Sequence, residues 1–178
     1  LTAREPGIRG VIAATRGNHG QSVAFAARRH GLQATIVVPR NNSLEKNTAM
    51  RALGATLVEY GEDFQESRAH AIELARRDGL HMLPSFHPDL VAGVATGWVE
   101  LFRAQPGIEL VLVPIGQGSG ICGAIAARHA LGLEMDIIGV VSSHAPAYQL
   151  SFARREAVEA PVTTLLAGGL ACRAPDPH

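Results

Sequence analysis

Lysine is all but missing from this chain: of its 16 basic residues only Lys46 is one, so chemistry that needs an amine nucleophile has a single side chain to draw on. Cysteine is nearly as scarce. Cys122 and Cys172 lie far apart, which excludes a disulfide framework and a CxxC metal site and makes the cytoplasm the expected compartment. Aromatic residues make up 4% of the sequence, too few to form a stacking platform for bases. Apolar stretches such as Leu110–Ile115 and Ile137–Val141 are far too short to cross a bilayer. No charge excess exists either: 16 acidic residues balance the basic ones to a formal net charge of zero, so nothing electrostatic favours nucleic acid. The opening Leu1-Thr2-Ala3-Arg4-Glu5-Pro6 holds neither an initiator Met nor the apolar core of a signal peptide, and we read the chain as part of a longer protein. What is present is apolar. Hydrophobic residues are 47% of the 178, ample for a packed core and too many for a disordered tail.

Short β-branched runs recur at nearly even intervals: Val11–Ala14, Thr35–Val38, Thr56–Glu59, Leu80–Leu83, Leu110–Pro114 and Asp136–Val141. Between them lie segments of helical period. His19–His30 stops at Gly31, Ser43–Leu53 at Gly54 and Ile121–Leu131 at Gly132, each a glycine placed for a left-handed helix end. Asn41-Asn42-Ser43 reads as a cap, and Asp63 with Glu66 as a capping box opening a helix that runs to Gly79. Asp89–Ala104 and Ala147–Arg155 complete the helices. Strands alternating with helices of this length imply crossovers and parallel sheet, so the expected fold class is α/β. A boundary is expected near Pro84–Pro88, a stretch that continues neither strand nor helix, with four βα units forming one sheet before it and a second sheet beginning after it.

Ligands of open parallel sheets sit where strands run out into helix N-termini. Two such crossings stand out. The first is Thr15-Arg16-Gly17-Asn18-His19-Gly20-Gln21, where glycines permit close approach and Thr15, Asn18 and the first-turn amides can grip an anion. On spacing alone the same residues also make a plain N-cap, and His19 a structural histidine. The second is Gly116-Gln117-Gly118-Ser119-Gly120, stripped of side chains as a loop is when main-chain amides cradle a phosphate; a tight glycine turn is the bland alternative. A dinucleotide site fits less well. The third glycine of GxGxxG would fall at Ile121, and Asp136 sits at the wrong end of its strand for a ribose. A mononucleotide P-loop lacks its Gly-Lys-Ser/Thr. A phosphate on a smaller cofactor is the better reading.

Taken together, the two loops resemble those of the fold-type II pyridoxal-phosphate enzymes (the tryptophan synthase β-like architecture), in the serine/threonine dehydratase branch. The match runs from Gly10–Gln21 through Pro39, Lys46, Leu53-Gly54-Ala55, Phe86-His87-Pro88, Ala92-Gly93 and Thr96 to Pro114–Gly120 and Gly123. Thr15-Arg16 with Gly169–Arg173 is similar to the threonine-dehydratase-like proteins of hydroxyectoine utilisation. The resemblance implies a lyase converting L-threonine, L-serine or a related β-hydroxy amino acid to a 2-oxo acid and ammonia. It implies pyridoxal 5'-phosphate as cofactor, Asn18 at the ring hydroxyl, Gly116, Gln117, Gly118, Ser119 and Gly120 at the phosphate, and Thr15, Gly17, Asn18 and His19 at the substrate carboxylate. These two anion sites would face one another across a cleft between sheets. It further implies residues 1–9 as a connecting segment, 10–89 as the small substrate-loop domain, 90–178 as part of the large cofactor domain, and a homodimer of the full-length protein.

Departures temper this. The family's Schiff-base lysine lies upstream of the asparagine loop, so no catalytic residue is expected within the chain, which by itself should be inactive; Lys46 aligns with an ordinary helix lysine and is expected on the solvated surface. Arg16 stands where dehydratases usually carry Ala and serine racemases a Ser that acts as acid/base, which argues against a racemase and leaves a contact to a second substrate group or a capping role. Gly168 replaces an acidic residue often near a divalent cation, Val94 replaces a common polar one, and the serine that meets the pyridine nitrogen lies beyond His178. The 8 histidines show no metal-ligand spacing. Cys122, one turn into a helix, could have a lowered pKa, though packing is the commoner role. A serine racemase, a non-catalytic anion-binding module and a nucleotide-binding domain remain the alternatives.

Overall fold

The computed structural model describes residues 7–164 and 166–176; most of the expected connecting segment, residues 1–6, lies outside them. Two compact units form, one ending at Ser85 and the next beginning at Phe86.

In the first unit β1 (Gly10–Ala14), α1 (Asn18–Arg29), β2 (Gln33–Val38), α2 (Leu44–Ala52), β3 (Thr56–Glu59), α3 (Phe64–Asp78) and β4 (His81–Met82) follow one another. The strands pair in parallel in the order β3-β2-β1-β4. β1 is central and buried along its whole length, as the unbroken apolar run Val11–Ala14 requires of a strand covered on both faces. Its alternate residues divide the core. Val11 and Ala13 pack with Val23, Ala24, Ala27 and Met50 from α1 and α2, while Ile12 and Ala14 pack with Phe64, Ala71, Leu74 and Ala75 from α3.

Local signals set the helix ends. Ser43 accepts from the Lys46 N–H, and Asp63 Oδ1 from the Glu66 N–H at 2.9 Å. The capping box is displaced by one residue, because Glu66 Oε2 accepts from the Glu62 N–H at 3.0 Å rather than from that of Asp63. Gly31, Gly54 and Gly79 have the positive φ expected after α1, α2 and α3. β4 is shorter than the expected Leu80–Leu83: only His81 and Met82 pair with β1, although the Leu83 N–H still reaches Ile12 O at 2.8 Å, and Pro84 ends the ladder.

The second unit holds α4 (Pro88–Ala104), β5 (Leu110–Pro114), α5 (Ser119–Leu131), β6 (Asp136–Val140) and α6 (Ala147–Arg154). Pro88 opens α4 instead of breaking it, since proline at a first helical position lacks only a donor that has no acceptor there; His87 Nδ1 accepts from the Asp89 N–H at 3.1 Å. β5 and β6 pair in parallel. One face is covered around Phe102, Ala127 and Met135. On the other, Leu110, Leu112, Ile138 and Val140 are 39–63% exposed, a large apolar row for a two-stranded ribbon. α5 starts at Ser119, not Ile121, so the glycine loop runs straight into its first turn. No helix among the described residues is long and apolar enough to cross a membrane.

The cap at α3 is testable. Asp63→Ala should lower the stability of the first unit by about 1 kcal/mol, read from the urea midpoint, and Asp63→Asn, which keeps an acceptor, by less. Equal losses would show that charge at this position matters more than the cap.

Candidate functional site

The first-unit sheet reverses direction at β1. Successive strands step from β1 to β3 on one side, and β4 lands on the other. The carboxyl ends of β1 and β4 are therefore the switch point of the sheet, the position where ligands of open parallel sheets bind. Thr15–Gly17 leave β1 at this point. Ser85 Oγ, just past β4, donates to Ala14 O at 3.3 Å. Thr15 continues the ladder through its N–H to Val37 O at 3.0 Å and is 5% exposed. Its Oγ1 accepts from the Gly17 N–H at 3.0 Å, a local turn bond that leaves the hydroxyl proton free to donate.

Gly17 is the N-cap of α1, and no side chain caps that helix. The first-turn amides have no intrahelical acceptor, which leaves those of Asn18 and His19 available to an anion. Asn18 is exposed, with its carboxamide unengaged among the described residues. Gly17 also admits Lys46. A Cβ at 17 would lie 2.5 Å from Lys46 Cδ and 3.3 Å from Nζ, so the lysine stem lies against the bare Gly17, and a side chain there would push the flexible lysine aside. Lys46 is half-buried, against the expectation of a solvated surface residue.

Two polar atoms of this loop are buried without a hydrogen-bond partner, Arg16 Nε and His19 Nε2. Burial pushes the His19 pKa down, opposed by a hydrogen bond to the Leu83 backbone. The ring is thereby held neutral and tied to the segment after β4. Burial also pulls down the pKa of the Arg16 guanidinium, opposed by the carboxylate of Asp63. Orphaned polar atoms of this kind suit a site that a polar ligand completes.

The second loop, Gly116–Gly120, joins β5 to α5. Here too the N-cap is a glycine, Gly118, at φ 99° and with no side-chain cap. A Cβ at Gly116 would lie 2.5 Å from the Gly169 carbonyl oxygen, and the backbone offers no room to yield. Gly120 is bare for another reason: a Cβ there would meet nothing closer than 4.0 Å, so the space beside it stays open. Free amides, a helix dipole and an open cradle suit a phosphate, and the residues present fit the phosphate of a small cofactor. Neighbours hold the loop from outside. Trp98 Nε1 donates to Gly120 O at 3.0 Å, Gln117 Nε2 to Cys172 Sγ at 3.1 Å, and Tyr148 Oη to Gln117 O at 2.8 Å. Cys122 is half-buried, and burial pushes its thiol pKa up; it packs, and the lowering that a helix start could give does not prevail.

The sequence reading did not single out Tyr148, nor the parts played by Trp98, Cys172 and Lys46. Only Trp98 gave a usable signal, since an indole N–H on an apolar helix face needs an acceptor. Two surface cavities lie elsewhere, at the amino ends of strands. One, of about 240 Å³, includes Ile108, Glu109 and Met135 in its lining, and the other, of about 280 Å³, includes Gln33 and Ala34. Neither touches the loops. No cluster of metal-ligating side chains occurs among the described residues.

The chain is similar to known proteins in sequence and in fold. The sequence model of the family described as "Pyridoxal-phosphate dependent enzyme" matches residues 1–178. The chain is similar to an L-threonine ammonia-lyase of Thermotoga maritima, 36% identical over 168 residues, covering 94% of this chain and 42% of that protein. Its fold is similar to the processed form of threonine deaminase isoform 2 from Solanum lycopersicum, with TM-score 0.83, 35% identity, and 94% of this chain and 49% of that one covered. It is also similar to maize serine racemase, with TM-score 0.84, 26% identity, and 93% and 51% covered. The chain spans less than half the length of the curated relatives it matches.

The neutral, buried His19 has a pH consequence. Below the ordinary imidazole value of 6.5 the unfolded chain takes up a proton that the folded one resists. Stability is therefore full above that pH, falls as pH drops toward the lowered folded value, and levels off beneath it. Urea midpoints measured across this window should fall more steeply for the unsubstituted protein than for His19→Asn. Parallel curves would mean that the imidazole protonates freely in place.

Proposed function

The chain belongs to the pyridoxal-phosphate dependent enzymes, and on that premise we propose that the whole protein is a lyase converting L-threonine, L-serine or a related β-hydroxy amino acid to a 2-oxo acid and ammonia. The observation that carries this reading is the pair of helices α1 and α5, each opened by an uncapped glycine at the carboxyl end of a parallel strand. Threonine ammonia-lyases among the relatives at 36% identity support it. Residues 10–89 form the small substrate-loop domain in this reading, and 90–178 the first part of the large cofactor domain. The partner is a small amino acid rather than nucleic acid or membrane, the full-length assembly is a homodimer, and the compartment is the cytoplasm, in keeping with the free thiols Cys122 and Cys172.

The loop Gly116–Gly120 holds the cofactor phosphate through main-chain amides, and the Gly169 carbonyl packed against Gly116 leaves no room for a side chain there. When bound, pyridoxal phosphate supplies an electron sink for the charge left on Cα as the α-proton departs. The Thr15 hydroxyl, the amides that follow Gly17 and the Asn18 carboxamide hold the substrate carboxylate, with Asn18 also serving the ring hydroxyl. Fixing the carboxylate removes rotation of the amino acid and so aligns its Cα–H bond for removal. The His19 ring, bound to Leu83, keeps this loop in place. Arg16 separates the lyase from the racemase reading: serine racemases use a serine there as acid/base, and a guanidinium neither gives nor takes protons at neutral pH.

The full-length protein should release 2-oxo acid from L-threonine or L-serine. Asn18→Ala should reduce that turnover by about tenfold or more while leaving the urea midpoint nearly unmoved; a residue that only started the helix would do the reverse. Cofactor binding with no 2-oxo acid from either substrate would sink the lyase reading and leave the family standing.

A further inference from the structure

Tyr148 lies in the first turn of α6, 30 residues beyond Gly118, and its hydroxyl is engaged on two sides. It donates to Gln117 O at 2.8 Å and accepts from the Asp176 N–H at 3.3 Å. Burial is the main reason its pKa is pushed up to about 12, so the phenol keeps its proton and remains a donor at every physiological pH. The group it holds is one half of the peptide that joins Gln117 to Gly118. That peptide is planar and trans, so its carbonyl and its N–H point in opposite directions. Fixing Gln117 O on the phenol thus aims the Gly118 N–H away from Tyr148.

The direction matters because the flanking chain cannot enforce it. Gly116, Gly118 and Gly120 have no Cβ to restrict the backbone, and Gly118 already sits at φ 99°, where glycine moves freely. A flip of the 117–118 peptide would replace a donor by a carbonyl oxygen on the side where the anion binds, and the interaction would turn from attraction to repulsion. The Gln117 side chain is anchored separately, to Cys172 Sγ, but an anchored side chain does not fix the plane of the next peptide. We propose that Tyr148 is a positioning residue for phosphate recognition: its hydroxyl holds the Gln117 carbonyl so that the Gly118 N–H faces the anion. This rests on the reading of Gly116–Gly120 as the cofactor-phosphate loop.

The test compares two ligands that differ only in the phosphate. Dissociation constants for pyridoxal 5'-phosphate and for pyridoxal are measured by absorbance titration on the full-length protein and on Tyr148→Phe, with the melting temperature of each cofactor-free protein alongside. Loss of one hydrogen bond should raise the constant for pyridoxal 5'-phosphate by about threefold to tenfold. The constant for pyridoxal and the melting temperature should not move. A rise in both constants together, as general damage to the fold would give, overturns the proposal, and so does no rise in either. If the unsubstituted protein itself shows no preference for the phosphorylated ligand, the loop is not a phosphate site and both readings fall. If it shows the preference and Tyr148→Phe keeps it, only the role of Tyr148 falls.

Discussion

A helix begins with amides that its own ladder leaves without acceptors, and the way each helix of this chain meets that requirement decides where a ligand can bind. α2, α3 and α4 meet it with a side chain from the residue just outside, Ser43, Asp63 and His87. α1 and α5 do not; each starts from a glycine that has nothing to offer. Uncapped starts are not by themselves sites, as α6, opened by Pro146, shows. α1 and α5 differ from α6 in sitting directly beyond the carboxyl end of a paired strand, on loops where a side chain at Gly17 or Gly116 would collide with its surroundings. Their amides are left open by construction.

The parallel sheet explains why the first of these openings lies where it does. Strand order β3-β2-β1-β4 places β1 at the reversal, where ligands of such sheets bind at the carboxyl ends of the strands. The same position draws in residues from distant parts of the sequence. Leu83 comes from the end of β4, Lys46 from α2 and Asp63 from the start of α3. A loop of seven residues thus sits among groups set by three other connections; burial lowers the pKa values of Arg16 and His19, and Asp63 and the Leu83 backbone oppose that lowering.

Such long-range effects mark the limit of what the sequence discloses. The α/β class, the parallel sheets and the helix ends at Gly31, Gly54, Gly79 and Gly132 were legible because each rests on local periodicity or on a glycine needed for a positive φ. The two loops were legible as well, through their glycines and their place after strands. Details that depend on packing were not. β4 is reduced to His81–Met82 because the Leu80 N–H closes the end of α3 on Ala75 O and Pro84 has no N–H to extend the ladder, and α5 begins inside the glycine loop, its first turn at Ser119-Gly120 following the positive-φ Gly118. Lys46 is half-buried rather than solvated because its aliphatic stem lies against the bare Gly17, a relation between positions 17 and 46 that no spacing rule expresses. Tyr148 reaches Gln117 through the turn of the chain after β6, again without a local signature.

The two openings are built differently, and in the proposed reading that difference gives them different work. The loop after β5 is largely backbone. Its donors are main-chain amides and the Ser119 hydroxyl, its outer edge is held by Trp98, Cys172 and Tyr148, and in the proposed reading it recognises charge and size. The loop after β1 keeps its side chains: a threonine hydroxyl committed on one side only, an unengaged carboxamide, and two buried nitrogens without partners. Leaving a buried polar atom unpaired costs about 1–3 kcal/mol, a penalty that persists in folded proteins where a ligand or strain makes use of it. Backbone donors cannot distinguish one phosphate-bearing molecule from another, whereas hydroxyl, carboxamide and orphaned ring nitrogen can discriminate among small polar molecules by the hydrogen bonds they leave unmade. In the proposed reading, affinity for a common group would therefore belong to the glycine loop, and choice among substrates to Thr15–His19.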